Sequence, residues 1–287
     1  MLKERVIKYF FGIGAVIAPI LVILILGHIL TEAWPAISKI GAGLIDIGGK
    51  WQPLAGSPSY SFLPMLLATL YVAFLAVLLA LATGLGASLF FCFYASDGVR
   101  SMFLSLTNSL AGIPSVIFGF LGLVILVKKF EQLFSMPSGE CVFAAAVLLS
   151  VMLWPFVVSA CSDSIQSAKG KYMQTALASG LSREYTIRKI IVPASRLGVL
   201  SALVMALGRA LGETMAVMMV IGNAPILPRL FGRAETIAGL TALEMGSVEY
   251  GSLHLSALYA ANLALLVLLG LIYLAAYLLR RKMRKSA

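Results

Sequence analysis

The sequence predicts an all-α integral membrane protein with six transmembrane helices and both termini in the cytoplasm. Of its 287 residues, 60% are hydrophobic and only 12% are charged, and the mean hydropathy of +0.98 excludes an ordinary water-solvated surface. Long apolar runs recur along the chain, and most Lys and Arg residues lie in the segments that would then share one side of the membrane. These observations together predict the fold class.

The spans follow from the lengths of the apolar runs. About 20 apolar residues in a helix cross a hydrocarbon core of ~30 Å. The single transmembrane domain predicted for residues 1–287 contains six such spans, at about 9–31, 62–94, 102–127, 141–162, 197–222 and 255–279. The first run is too long for a signal peptide and precedes no small-x-small cleavage site, so it is predicted to remain as a span.

The positive charges predict the orientation. The net charge of +10 would suggest nucleic-acid binding in a soluble chain, but here Lys and Arg cluster at 1–8, 163–196 and 280–285. An even number of spans places all three clusters in the cytoplasm, as the positive-inside rule requires, whereas a seventh span would put one basic terminus outside. The expected location is therefore the bacterial plasma (inner) membrane, multi-pass, with lipid contacts and no nucleic-acid partner.

Other reactive side chains predict no site of their own. The three cysteines, Cys92, Cys141 and Cys161, lie at span ends where no two can pair outside the membrane. The methionines near 215–219 are more simply a packing stripe than a metal path. No catalytic residue and no metal site is expected.

The segment 163–196, predicted to be cytoplasmic, is longer than a hairpin between two spans requires. Its pattern predicts a short helix at Lys171–Leu181 that stops at Gly180, and a second helix that Ser182 caps and that precedes Pro193. An amphipathic connector that lies on the lipid headgroups is the alternative for these residues.

The spacing within this segment resembles the cytoplasmic loop signature of ABC importer permeases. It reads Gln174-Thr175-Ala176, three residues, Gly180, nine residues, then Ile190-x-Val192-Pro193. Gln174, Thr175 and Val192 stand where the family usually has Glu, Ala and Leu. The resemblance implies that the first short helix docks in a cleft of an ATP-binding subunit. The residues expected to couple to that subunit are Gln174, Thr175, Ala176, Gly180, Ile190 and Pro193.

ATP is expected to bind elsewhere. The chain contains no Gly-x4-Gly-Lys-[Ser/Thr] phosphate-binding loop. We therefore expect a transport subunit and not an enzyme, with no cofactor in this chain and with ATP and Mg²⁺ bound by the partner ATPase.

A charged pair lies inside the fifth predicted span. Arg209 and Glu213 are four residues apart, which would place them on one helical face where they can neutralise each other. Gly208 and Gly212 form a Gly-x3-Gly step that would let another helix approach. Such a pair can be a structural ion pair. Alternatively it can form an anion-conducting contact, because Arg binds tetrahedral oxyanions through two hydrogen bonds and keeps its proton.

The residues around this pair resemble one particular type of ABC importer permease. The run Ala206–Val217, which continues to Asn223, and the run Ala111–Phe120 are similar to segments of the PstC-type permease of the phosphate-specific ABC importer. In that family the positions that match Arg209 and Glu213 are implicated in phosphate passage, and we add the adjacent Thr214 to the expected path. The resemblance implies a type I (MetI-like) architecture and three kinds of partner: a PstA-type permease, a PstB-type ATPase dimer and an extracytoplasmic phosphate-binding protein.

The expected function is thus ATP-driven import of inorganic phosphate by alternating access. A permease for another oxyanion, sulfate or molybdate, is the nearer alternative. An ion-driven secondary transporter that uses Arg209 and Glu213 as a relay is the more distant one, and the Gly180–Pro193 spacing and the lack of an internal repeat argue against it.

Overall fold

The computed structural model describes the backbone of residues 2–285, without the side chains of 2–10, 13, 104, 108, 284 and 285. The basic side chains near the amino terminus, on which the predicted orientation draws, therefore lie outside the described residues. Contacts divide the chain into two compact units: residues 1–63 with 243–266, and residues 64–242 with 267–287.

The first unit contains a long apolar helix and a small hairpin. Helix α1 spans Leu2–Ile40 and is followed by a 3₁₀ turn and by two short antiparallel strands, β1 (Trp51–Gln52) and β2 (Ser59–Tyr60). The indole N–H of Trp51 donates to both carboxylate oxygens of Glu244, which also lies 2.7 Å from Nε2 of His254. These contacts attach the hairpin to the segment that leads into helix α12 (Leu253–Lys285).

The second unit contains the remaining helices. In chain order they are α2 (Leu63–Phe93), α3 (Asp97–Ala111), α4 (Ser115–Leu121), α5 (Lys128–Phe134), α6 (Val142–Ala178), α7 (Arg183–Thr186), α8 (Val192–Ala194), α9 (Arg196–Leu211), α10 (Met215–Ile221) and α11 (Ile237–Glu244), with the end of α12. π-helical turns at Gly122–Val127 and Ile187–Ile191 join α4 to α5 and α7 to α8.

The helices agree with the predicted membrane class. Within residues 2–285, four helices, α1, α2, α6 and α12, are long and apolar enough to cross a membrane, and the number rises to six if each of two bent helix pairs is one span. One pair bends by 94° between α3 and α4, and the other by 53° between α8 and α9. The first bend lies at Gly112–Pro114, because Pro114 has no N–H with which to continue helix α3.

Helix α6 is longer than the sequence predicts. The separate short helix predicted at Lys171–Leu181 is wrong, because one unbroken helix runs from Val142 to Ala178 and continues past the predicted span 141–162. The helix continues because its apolar stripe extends past the predicted span: Ile165, Ala168 and Ala176 are buried against the rest of the chain.

The fifth predicted span, at 197–222, is broken. Helix α9 ends at Leu211 and α10 begins at Met215, with Gly212, Glu213 and Thr214 between them. Gly212 caps the end of α9 and Thr214 precedes α10, so the helical hydrogen-bond ladder is interrupted next to both charged residues.

Close helix contacts made by small residues form the core. On α2, Ala76 and Ala80 are fully buried, and a methyl group added to Gly84 would lie 2.8 Å from Cγ1 of Val157 on α6. The hydroxyl of Ser88 donates to the carbonyl of Val158 at 3.0 Å. Helix α6 packs against α9 as well as α2, and all three cysteines are free and buried.

We predict that Gly84→Leu destabilises the chain and that Gly86→Leu does not. Gly84 has no room for a side chain beside Val157, whereas Gly86, on the same helix, has no heavy atom within 4 Å of an added methyl group. Overpacking of this kind costs about 1–3 kcal/mol. The measurement is the unfolding midpoint of each variant in detergent, and equal midpoints for the two variants would contradict the packing described here.

Candidate functional site

A cavity of about 400 Å³ lies along the contact between α6 and α9. Each helix contributes one face at i, i+3, i+4 and i+7 spacing, and the lining residues are Phe156, Ser159, Ala160, Asp163, Ala202, Met205, Ala206 and Arg209. The alanines leave the space open. The cavity therefore combines apolar walls with one cation, one carboxylate and one hydroxyl.

Arg209 is stacked on an aromatic ring of the same cavity. Its guanidinium carbon lies 4.2 Å from the centroid of the Phe156 ring, a cation–π contact that holds the planar group without a counter-charge. The side chain is exposed on the surface of this chain. Its hydrogen-bond donors are thus not used by a carboxylate of the described residues.

The expected ion pair between Arg209 and Glu213 does not form among the residues that the structure describes. The i, i+4 spacing brings side chains together only in a continuous helix, and the break at Gly212 separates these two. Glu213 instead accepts a long, 3.4 Å hydrogen bond from the backbone N–H of Ala216, at the start of α10. Thr214 is half-buried, its hydroxyl lies 3.4 Å from the carbonyl oxygen of Gly212, and neither it nor Glu213 lines the cavity.

Only one of the two glycines in the Gly-x3-Gly step lies against another helix. A methyl group added to Gly208 would overlap the hydroxyl of Tyr273 on α12. At Gly212 the nearest atoms belong to its own chain segment, at 3.8 Å. Gly208 therefore serves the packing of α12 on α9, one residue from Arg209.

Three cavity residues carry no sequence signal strong enough to be singled out. Phe156, Ser159 and Asp163 lie on one face of α6. The sequence does not show that this face lines a cavity, because the cavity forms only where α9 packs beside it. Seven residues of helix separate Phe156 from Asp163, which is about 10 Å. Arg209 and Asp163 thus give the cavity one end that attracts an anion and one that repels it.

Four of the six predicted coupling residues, Gln174, Thr175, Ala176 and Gly180, lie in or just after the last turns of α6. Gly180 has a φ of +78°, its N–H donates to the carbonyl of Leu177, and the N–H of Leu181 donates to that of Ala176. This is the Schellman arrangement, which needs a left-handed residue and so favours glycine. The hydroxyl of Ser182 then accepts from the N–H of Tyr185, which confirms the predicted cap of the second helix.

The residues 174–181, which we call the docking turn, form a mostly exposed surface. Gln174, Thr175 and Gly180 are exposed, but Ala176 is buried within the chain itself. Farther along, Ile190 is half-buried and Pro193 is exposed just before the 53° bend into α9. A partner that docks here would contact Gln174, Thr175 and the left-handed turn, while the small size of Ala176 serves packing inside the chain.

One helix joins the docking turn to the cavity. Phe156 and Gln174 both belong to α6, and 18 residues of helix separate them by about 27 Å. An unbroken helix therefore connects the docking turn to the ring over which Arg209 lies. Among the described residues no group of three or more His, Cys, Asp or Glu side chains could hold a metal ion.

This fold and site define a membrane permease: apolar helices that can span a bilayer, a charged cavity between two of them, and an exposed turn at the end of one. Residues 84–285 match the family described as "Binding-protein-dependent transport system inner membrane component", and the chain belongs to that family. It is an inner-membrane transport subunit, and the prediction of a transport subunit that is not an enzyme is confirmed. Membership implies association with an ATPase and a substrate-binding protein.

Named relatives and solved structures agree with this membership. A probable ABC transporter permease, YqgH of Bacillus subtilis, is 35% identical over 76% of this chain and 71% of its own. A probable phosphate transport system permease protein PstC of Methanocaldococcus jannaschii is 32% identical over 87% and 84%, respectively. A chain of the MetNI methionine ABC transporter has a TM-score of 0.58 at 17% identity, covering 75% of this chain and 93% of that chain. The similarity in structure confirms the predicted MetI-like fold.

We predict that Gly180→Val weakens retention of the ATPase, and that Gly170→Val leaves it unchanged. A branched side chain at a φ of +78° is strained, so the docking turn changes shape, whereas Gly170 lies within α6 with open space around it. The measurement is the amount of ATPase that co-purifies with each variant. Equal retention by the two variants would show that the docking turn does not bind the ATPase.

Proposed function

We propose that this chain is the PstC-type permease subunit of an ABC importer that moves inorganic phosphate into the cytoplasm. The observation that carries the proposal is Arg209, a cation beside a cavity whose guanidinium rests on Phe156 and is not paired with a carboxylate of the described residues. Its donors are free for the oxygens of a tetrahedral anion, which the planar guanidinium binds through two hydrogen bonds. Several relatives named as phosphate permeases support the choice of phosphate.

The proposed mechanism is alternating access driven by the docking turn. When the ATPase subunits close, they displace the docking turn, and α6 carries the displacement to Phe156. The phosphate ion then accepts hydrogen bonds from the free donors of Arg209. Asp163, about two helical turns farther along α6, repels the anion and so limits how tightly the cavity holds it.

A second permease subunit is proposed to cover this face. Arg209, Asp163 and Met205 are exposed on the isolated chain, and a charged side chain in contact with lipid at mid-membrane costs ~2.5–3.5 kcal/mol on insertion scales. Protein or water must therefore cover the cavity. We assign this role to a PstA-type permease, nucleotide and Mg²⁺ binding to a PstB-type ATPase dimer, and substrate delivery to an extracytoplasmic phosphate-binding protein.

The proposed orientation puts both termini and the segment 163–196 in the cytoplasm. It rests on the concentration of Lys and Arg in these segments, since a bilayer retains positive loops on the cytoplasmic side. With this orientation the docking turn meets the cytoplasmic ATPase.

Another oxyanion remains the alternative substrate. Arg209 can bind sulfate or molybdate by the same geometry, so the cavity by itself favours tetrahedral oxyanions as a class. The names of the relatives favour phosphate among these anions. An ion-driven relay through Arg209 and Glu213 is disfavoured, because the two side chains do not contact each other.

We predict that Arg209→Ala lowers phosphate uptake at least about a hundredfold, because two charge-assisted hydrogen bonds to the anion are lost. Arg209→Lys keeps the charge but not the paired donors and should retain partial uptake. Arg196→Ala, at the start of the same helix, is the control and should transport normally. The measurement is uptake of labelled phosphate by the reconstituted complex in the presence of ATP and the binding protein.

Two results would overturn the proposal. Wild-type uptake of sulfate or molybdate without phosphate would change the substrate. Loss of complex assembly in Arg209→Ala, measured by co-purification of the subunits, would show that Arg209 has a structural role.

A further inference from the structure

The carboxyl end of α2 is capped by two cations from elsewhere in the chain. The ammonium group of Lys169 donates to the carbonyl of Cys92 at 2.6 Å, and the guanidinium of Arg183 donates to the carbonyl of Phe93. The last carbonyls of a helix have no partner within it and carry partial negative charge, so cations stabilise them. The last turn of α2 contains no basic residue of its own.

Each cation also lies over an aromatic ring at the same helix end. The Lys169 nitrogen is 5.4 Å from the Phe93 ring centroid, and the Arg183 guanidinium carbon is 5.9 Å from the Tyr94 ring centroid. Cation–π contacts fix the direction of each side chain in addition to the hydrogen bond. We call Lys169 and Arg183 together the cation clamp.

The clamp lies on a buried apolar cluster that joins three parts of the chain. Phe93 and Cys92 of α2 pack with Ile165 and Ala168 of α6 and with two isoleucines of the π-helical turn. These isoleucines, Ile187 and Ile191, are 8% and 0% exposed. The end of α2 is thus packed against the chain on both sides of the docking turn.

The two cations come from the two sides of the docking turn. Lys169 lies on α6 before it, and Arg183 is the first residue of α7 after it. The basic neighbours make other contacts: Lys171 lies over the ring of Tyr172, and Arg188 pairs with exposed Glu184. The end of α2 is therefore held by two charged contacts, one from each flank of the docking turn.

We propose that Lys169 and Arg183 are positioning residues that make α2 move together with the docking turn when nucleotide binds to the partner ATPase. The inference rests on the proposed function for the presence of the ATPase, but not on the identity of the transported anion. Without the clamp, the docking turn moves while α2 lags behind it, so ATP is hydrolysed without full opening of the path.

A distance measurement in the assembled transporter tests the clamp directly. Spin labels are placed on cysteines introduced at Phe90 of α2 and Leu177 of the docking turn, which are 51% and 46% exposed. The native cysteines are buried and react more slowly. In the labelled protein that keeps Lys169 and Arg183, we expect a narrow distribution of the distance between the two spin labels, with the same mean with and without ATP. We expect a broadened or shifted distance on ATP binding in Lys169→Met/Arg183→Met.

The functional measurement is the amount of phosphate taken up per ATP hydrolysed. Loss of the two hydrogen bonds from charged donors should lower this ratio in the double variant by at least about tenfold, the effect of one such bond, while ATP hydrolysis continues. Lys169→Arg/Arg183→Lys keeps both charges and should restore it. The matched control, Lys171→Met/Arg188→Met, removes the same charge from the same segment and should leave the ratio unchanged. If the double variant does not assemble, Lys169→Met alone should show the same change to a smaller extent.

Three outcomes would overturn the inference: an ATP-independent distance in the clamp variants, an equal loss of uptake in the control, or a lower unfolding midpoint with an unchanged ratio. The last would show that the clamp only stabilises the fold. A wild-type complex that takes up no phosphate would contradict the proposed function, but the spin-label distance would still test the clamp.

Discussion

The close packing of α6 against α2 and α9 is the constraint on which the rest of the structure depends. Small residues of α2, such as Ala80 and Gly84, bring its backbone near enough to α6 for Ser88 to reach the carbonyl of Val158. In lipid there is little hydrophobic gain from helix association, so close van der Waals contact and interhelical hydrogen bonds supply the stability. On α9, Ala202 and Ala206 belong to the same buried core and also line the cavity, where their small side chains leave space. Small residues therefore produce both the close packing and the site.

Because α6 is long, one helix connects the packed core to the docking turn. A helix that ended at residue 162 would need a flexible joint between the membrane and the docking turn, and motion at the turn would be lost there. The apolar stripe that includes Ile165 and Ala168 instead keeps the helix bound to α2 and to the π-helical turn beyond the apolar span. The docking turn and one wall of the cavity thus belong to one helix.

Sequence patterns predicted the parts of this structure that depend on local physics. Apolar runs located the helices, and the glycine at 180 and the serine at 182 marked a helix end and a helix start, because a left-handed cap and a side-chain cap depend on neighbouring residues. The break between α9 and α10 was missed, since its sequence, with Gly212 and Thr214, is compatible with a weak helix. The continuation of α6 was missed because its buried stripe is recognised only when α2 is present to cover it.

The corrected geometry changes how the charged residues are interpreted. A pair of Arg209 with Glu213 would be nearly neutral, and an anion would have to break it before binding. A guanidinium that lies over the face of Phe156 keeps its full charge and its hydrogen-bond donors, because the ring supplies neither a counter-charge nor a lone pair. The break that removes Glu213 from Arg209 therefore leaves the cation free to bind an anion, and Glu213 contacts the first turn of α10 instead, where the helix dipole favours negative charge.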